Sequence, residues 1–462
     1  MNHSSSDPLL KKISEYIVSY DKPNDEALKM ARLSLADALG CALLSLQNED
    51  CRRLLGPWVP GTVVPGGCRI PGIHCPLDPV TGAFNLGTMI RFLDYNDTFL
   101  AKEWVHPSDA IGALLPLMDY LKGFKVHNFL TALIKTYEIQ GGLALENSFN
   151  QVGIDHVILV KVAVAGVATH LLGGNETHVI DALSQAFIDL GPLRIYRQEP
   201  NTGLRKSWAA GDAAARGLAL AFLTMRGEKG YLTPLSTPRF GLEAVLFQNQ
   251  PLKLFHELGS YIIENILFKI SYPAEFHAQT AIEAALLLNP NPEDIRHISI
   301  ATHAPALSII NKKGPLKNHA DRDHCMRYMV AIALLYGHLT ADHYHDKVAL
   351  DPRIDLLREK IDMIENPEFT KNYYNPEMRS IASSMTITLK NGTILGPLTV
   401  EFPLGHKNRR KEGIPMLYKK FEQNLTTHFS KERVKKIISL FKDEEQLDAL
   451  DVSEFMDFFL KD

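Results

Sequence analysis

MTITLKNGTILGPLTVEF (385–402) decides how the chain is read. Met385 to Lys390 alternates apolar and polar residues, Asn391-Gly392 follows, and Thr393 to Phe402 alternates again. An Asn-Gly pair between two such runs marks a two-residue hairpin, because both turn residues take positive φ. Ile295 to His303 (IRHISIATH) has the same period of two and reads as another half-buried strand. Helical patterns at Ala278 to Leu288 and Arg327 to Tyr336 lie among these strands. After Lys269 the chain therefore reads as a small α+β unit.

Before that point the sequence is helical. Ser14 to Tyr20 and Asn24 to Leu46 carry apolar residues at helix spacing, and Asn24, Asp25 and Glu26 suit a helix start. Gly and Pro crowd residues 56–82, which read as a loop, and one of that length is usually functional or covered by a partner. From Val80 to Leu267 helices dominate. Small residues are dense there, as in Ala163, Ala165, Gly166 and Ala168, or Ala209, Ala210, Ala213, Ala214, Ala215 and Gly217. Such residues let helices approach closely. Pro415 to Leu460 reverts to helix and is expected to fold back onto the helical body. No 20–50-residue period indicates a solenoid.

Composition bounds the function. A chain of 462 residues exceeds what one hydrophobic core supports. With 49 Lys+Arg against 53 Asp+Glu the net charge is −4, which argues against a general nucleic-acid binder but leaves room for a basic pocket. The most apolar stretch, Val157 to Leu172, is interrupted by Lys161 and His170, so no membrane span is expected. The N-terminus lacks the pattern of a secretory signal. Five cysteines without a C-x-x-C pair fit free thiols in a reducing cytoplasm rather than a metal or cluster site.

Several polar groups could carry chemistry. Asp94-Tyr95-Asn96-Asp97-Thr98, followed by His106-Pro107-Ser108-Asp109, is either a capped helix start or a catalytic loop on a rigid scaffold. His156 follows Asp155 at the start of an apolar helix, and a neighbouring anion could move its pKa across neutrality. Arg194, Arg197, Arg205 and Lys206 lie just ahead of a helix and suit a small polyanion. Lys269 and Ser271 to His277 fall where the helical body meets the α+β unit, a favoured place for a ligand cleft. Lys312 through Cys325 and Gly405 to Lys411 read mainly as solvated faces. No G-x-G-x-x-G, P-loop, H-E-x-x-H or G-x-S-x-G motif is present.

Five stretches carry a resemblance: RFLDYNDTFLAKEWVHPSD (91–109), EIQGGLALENSFNQVGIDHVILVKVA (138–163), NTGLRKSWAAGDAAARG (201–217), ENILFKISYPAEFHAQTAIEAA (264–285) and KKGPLKNHADRDHCMRYMVAI (312–332). On these the chain resembles the MmgE/PrpD family over nearly its whole length. The resemblance implies a mainly α protein: a large helical domain built from both chain ends (1–270 with 406–462), an α+β lid (271–405), and a site between them. Family members dehydrate 2-methylcitrate, decarboxylate cis-aconitate or epimerise iminodisuccinate. All three reactions move a proton beside a carboxylate of a small polycarboxylate. It also implies a homodimer with no metal or cofactor.

Carried over by position, Asp94 and Thr98 match the family's D-x-x-D-T stretch, His106 its following H-P, and His156 the histidine opening the helix after E-x-Q-G. Lys206 matches the lysine before the next helix, and Lys269 and His277 flank the aromatic-Pro turn. Two more residues precede His106 than in the decarboxylase branch, and Glu275 stands nearer the proline where that branch has histidine; the Glu275 departure favours dehydration. The expected roles follow from that reaction. His106 and His156 form the acid–base pair with Asp94 orienting one of them. Lys206, Lys269 and Arg205 hold carboxylates and stabilise the carbanionic intermediate, while Thr98 and His277 contact substrate. A cis-aconitate decarboxylase is the nearest alternative. A non-catalytic helical scaffold is the other, and it predicts that these side chains scatter.

Overall fold

The computed structural model describes residues 6–198, 200–254 and 256–460. Two large apolar cores organise them, with two minor clusters beside them. The larger begins at Leu10, runs to Ile270 and resumes from Leu417 to Phe459. The smaller lies between Ala274 and Val400. The protein is mainly helical with a small α+β part, as the sequence reading expects. Among the described residues no helix is long and apolar enough to cross a membrane.

Local chemistry sets the helix starts. The Asp25–Ser45 helix begins where the Asn24 side chain accepts from the Ala27 amide at 2.8 Å. The Pro79–Arg91 helix begins at Asp78, which accepts from Val80 and Thr81, with Pro79 in the first turn where a missing N–H costs nothing. The helical body is dense where glycines meet. A Cβ on Gly112 would lie 2.5 Å from the Cα of Gly87, and one on Gly87 would lie 2.8 Å from that of Gly211. Three helices, Pro79–Arg91, Ile111–Leu121 and Arg205–Met225, thus touch backbone to backbone.

The C-terminal tail returns to the body. The Arg410–Thr426 helix packs along Asp25–Ser45, with Phe421 against Gly40 and Lys420 paired with Asp37 at 2.6 Å. Arg32 reaches Asp448 and Glu444 of the last helices.

The sheet has the order β2-β1-β3-β4, with β1 Ile295–Thr302, β2 Ile361–Glu365, β3 Ser383–Leu389 and β4 Ile394–Val400. The pair β1–β2 is parallel, and β1–β3 and β3–β4 are antiparallel. Three sequence expectations need correction. The hairpin turn spans three residues, not two: the Leu389 amide donates to Thr393, and only Gly392 takes positive φ (88°) while Asn391 does not. That is the three-residue hairpin loop with its left-handed final residue. Strand β2 was not anticipated, being five residues long and paired in parallel with a partner some sixty positions away. Residues 226–254 and 256–260 are not helical apart from Leu242–Leu246. Instead they strap across the body, tied by Asp7 to Leu235 and Ser236 and by Glu138 to Gly259 and Ile262.

The glycine crossing gives a direct test. Gly112→Ala should lower the unfolding midpoint by an amount equivalent to about 1–3 kcal/mol, the cost of overpacking a closed contact. Gly259→Ala, where a Cβ meets nothing within 4 Å, should leave it unchanged. Equal midpoints for the two variants in thermal melts would contradict the packing described.

Candidate active site

A cavity of about 180 Å³ lies where the two cores meet. The helical side contributes Arg91, Asp94, Thr98, Trp104, His106, Arg194, Arg197 and Lys269, and the α+β side contributes Glu275, His277, Lys312 and His324. The walls are thus rich in cations and imidazoles, with few carboxylates.

Asp94 follows the end of the Pro79–Arg91 helix with φ at 50°, a left-handed position that a short polar side chain tolerates better than most. Its carboxylate pairs with Arg91 and, at 2.7 Å, with the Lys269 ammonium, which also donates to the Asp94 carbonyl at 2.7 Å. Burial would raise the Asp94 pKa, but Arg91 and Lys269 overcome it and hold the carboxyl well below its ordinary range. Burial, partly opposed by Asp94, lowers that of Lys269.

His106 is fully enclosed. Its Nδ1 lies 2.8 Å from the Asp97 carbonyl, which can only accept, so Nδ1 carries the hydrogen. Nε2 then holds a lone pair and receives Arg91 Nη2–H at 3.0 Å. Burial first, then Arg91 and Lys269, push its pKa well below 6.5, so the ring is neutral at physiological pH. Asp97 itself is fixed by Tyr137 at 2.6 Å and by the Ser108 amide at 3.2 Å. Across the cavity, His277 Nδ1 sits 2.6 Å from Glu275 Oε1, and its Nε2 is 3.0 Å from the Tyr373 hydroxyl.

The family models match both parts of the chain: the MmgE/PrpD N-terminal domain over residues 11–254 and the MmgE/PrpD C-terminal domain over 272–444. The chain belongs to the MmgE/PrpD family. It is 48% identical to the 2-methylcitrate dehydratase of Cupriavidus necator, covering 98% of this chain and 97% of that protein. It is 47% identical to the 2-methylcitrate dehydratase of Escherichia coli strain K12, covering 97% and 96%, and 47% identical to a mitochondrial 2-methylcitrate dehydratase of Yarrowia lipolytica, covering 99% and 91%.

Within this MmgE/PrpD chain the expected site residues do not all reach the cavity. Asp94, Thr98, His106, Lys269 and His277 line it together. The Thr98 hydroxyl proton is already given to the Val105 carbonyl at 3.0 Å, so Thr98 closes the loop more than it donates inward. His156 is one layer back, its ring centroid 5.7 Å from that of His106, beside Asp155 at 3.3 Å. Lys206 is also behind the wall. Its ammonium meets Asp323 at 2.5 Å and His324 Nδ1 at 2.9 Å, and His324 is the group that faces the cavity.

Arg205 is outside altogether. It lies over the Trp208 ring at 4.3 Å, pairs with Asp212 at 3.3 Å and lines a separate pocket. Helix phase turns it away, while Arg194 and Arg197 of the preceding Arg194–Arg197 turn reach the site.

Other site groups were misjudged in the sequence. Asp323, His324 and Lys312 are not on a solvated face: Asp323 is buried, and Lys312 pairs with Asp321 at 2.9 Å on the cavity wall. Arg91 was passed over because it reads as an ordinary basic helix end. Among the described residues no three His, Cys, Asp or Glu side chains converge as metal ligands would.

Glu103, behind Trp104, is buried with Oε2 accepting from the Asn150 amide at 2.8 Å and Oε1 unpartnered. Burial pushes its pKa up to about 8. An unfolded glutamate releases its proton near pH ~4.3, so between there and about 8 the folded state retains a proton the unfolded chain has lost. This group therefore costs stability increasingly as pH rises through that window. Glu103→Gln should flatten the fall of melting temperature between about pH 5 and 8. A fall parallel to the parent's would contradict the assignment.

Proposed function

We propose that this chain is a hydro-lyase that dehydrates 2-methylcitrate to 2-methyl-cis-aconitate by side-chain acid–base chemistry. The observation that carries the reading is the neutral, Nδ1-protonated His106 set against Arg91, Asp94 and Lys269 on a cation-lined cavity. Similarity over nearly full length to proteins named 2-methylcitrate dehydratase supports the substrate. The convergence of five of the expected side chains speaks against a scaffold that would scatter them.

The reaction takes a proton from the carbon beside one carboxylate and expels hydroxide from its neighbour. The substrate carries three negative charges, so the added charge at the reacting carbon must be met by groups already in place. Lys269, Arg194, Arg197 and Lys312 face the cavity as such groups. A substrate carboxylate that takes the Arg91 N–H frees the His106 Nε2 lone pair to accept the carbon-bound proton. Lys269 then stabilises the carbanionic carboxylate.

The departing hydroxide needs a proton from the other wall, which we assign to His277 acting as an imidazolium. Its Nδ1–H is held by the Glu275 carboxylate, which balances the charge, and its Nε2–H goes to the hydroxide, so water leaves and the ring ends neutral. This revises the expected His106–His156 pair. His156 instead backs His106, Lys206 orients His324 both directly and through Asp323, and Asp94 is joined to His106 through Arg91.

We further propose that residues 1–270 with 406–462, and 271–405, are two folding units. The separate apolar cores support this. We propose that the enzyme works as a homodimer, without a metal, in a reducing cytoplasm. Its five free cysteines suit that compartment.

His106→Asn should lower kcat by about 10²–10⁴, the usual range for losing acid–base help, with little change in melting temperature. Activity within twofold of the parent would remove His106 from the mechanism. Lys269→Met should raise KM for 2-methylcitrate at least about tenfold, which is ~1.4 kcal/mol of lost binding, and an unchanged KM would contradict its carboxylate contact. Alkene formation followed by ultraviolet absorbance should persist with a chelator present, and carbon dioxide should not be released.

A further inference from the structure

Lys420 lies on the C-terminal Arg410–Thr426 helix, more than 300 positions from the Asp94 loop, and does not line the cavity. Its ammonium is buried and spends its three hydrogens within 2.8 Å. One goes to Asp37 Oδ1 at 2.6 Å, one to the Tyr95 carbonyl at 2.8 Å and one to the Lys269 carbonyl at 2.7 Å. It also sits 3.6 Å over the Tyr95 ring. Tyr95 in turn donates its hydroxyl to the Ile270 carbonyl at 2.7 Å.

The two carbonyls Lys420 binds belong to the residue after Asp94 and to Lys269 itself. These two short segments carry the charged pair at the heart of the cavity, and each needs outside support. Asp94 is in a left-handed conformation, and the 266–270 segment is joined to the loop by the Thr98–Leu267 backbone bridge.

We propose that Lys420 is a positioning residue for the reaction: by bridging the Tyr95 and Lys269 carbonyls, it fixes the distance between Asp94 and the Lys269 ammonium. The C-terminal tail is in this way part of the active-site construction and not only a cover for the apolar core. Asp37 supplies the counter-charge that lets an ammonium remain buried there. The third hydrogen bond is what distinguishes this from an ordinary buried ion pair, since it ties the pair to the site.

The test uses the full-length protein. Lys420→Met alone leaves the Asp37 carboxylate buried and unpaired, so the informative variant is Lys420→Met with Asp37→Asn, and Lys420→Gln is the second. Arg32→Met, which breaks another buried link between tail and body, is the stability control. Assays are run per folded protein, below each variant's melting temperature. The Lys420 variants should lose at least tenfold in kcat/KM, with KM contributing to the loss because Lys269 is displaced. Arg32→Met should stay within twofold despite a lower melting temperature.

The proposal rests on the dehydratase reading, which the parent's own turnover of 2-methylcitrate tests separately. A second readout needs no substrate. The His106 imidazole, followed by NMR and assigned with His106→Asn, should titrate closer to the ordinary histidine value of about 6.5 in the Lys420 variants than in the parent. Lys420 variants with kcat/KM within twofold of the parent, or with an unmoved His106 titration, would reduce Lys420 to a tail anchor and overturn the proposal.

Discussion

A single carboxylate holds the site together. Asp94 gathers the Arg91 guanidinium and the Lys269 ammonium inside a region closed to solvent, and Arg91 passes that arrangement on to His106. Removing one partner from such a buried cluster typically costs ~3–5 kcal/mol, whereas an exposed ion pair is worth ~1 kcal/mol or less. The cluster is therefore expensive to build, and the surrounding fold is organised to keep it. Asp97, Tyr137 and Ser108 lock the loop on one side, and Asp37 and Lys420 lock it on the other.

That expense has a chemical return. A cation about 4 Å from a substrate carboxylate contributes roughly 4 kcal/mol at an effective dielectric near 20, against about 1 kcal/mol in bulk water. A triply charged acid entering a small cavity among Lys269, Arg194, Arg197 and Lys312 meets charges that are already oriented. Burial first, then Arg91 and Lys269, push the His106 pKa down, which keeps the imidazole neutral and able to accept a proton. In the proposed mechanism, Lys269 serves both carboxylate binding and the state of the base.

The architecture was legible wherever a local rule fixes it. Asn24 caps its helix as its side-chain chemistry requires, and the Asn391-Gly392 signal located the hairpin correctly. The turn length was not legible, because two- and three-residue loops share the Asn-Gly signature. Strand β2 was missed since a short parallel strand takes its pairing from a distant partner. The strap over 226–254 and 256–260 was missed because side chains far away in sequence, Asp7 and Glu138, bond to its backbone.

In the site, Asp94 and His106 were visible as members of a dense polar cluster, and Lys269 as a cation where the helical body meets the α+β unit. Depth was not visible. Helix phase decides that Arg205 points outward and that Lys206 and His156 stand one layer behind the wall, and spacing alone does not set that phase. His324 and Lys312 looked like members of a charged surface run until the two cores were placed face to face.

The most direct measurement of the account is the reverse reaction in heavy water. The protein incubated with 2-methyl-cis-aconitate in D₂O should produce 2-methylcitrate with one deuterium on the carbon bearing the methyl group, in a single configuration, because one fixed imidazole delivers it. Product lacking that deuterium, deuterium on both faces, or loss of a carboxyl group in place of hydration would contradict it.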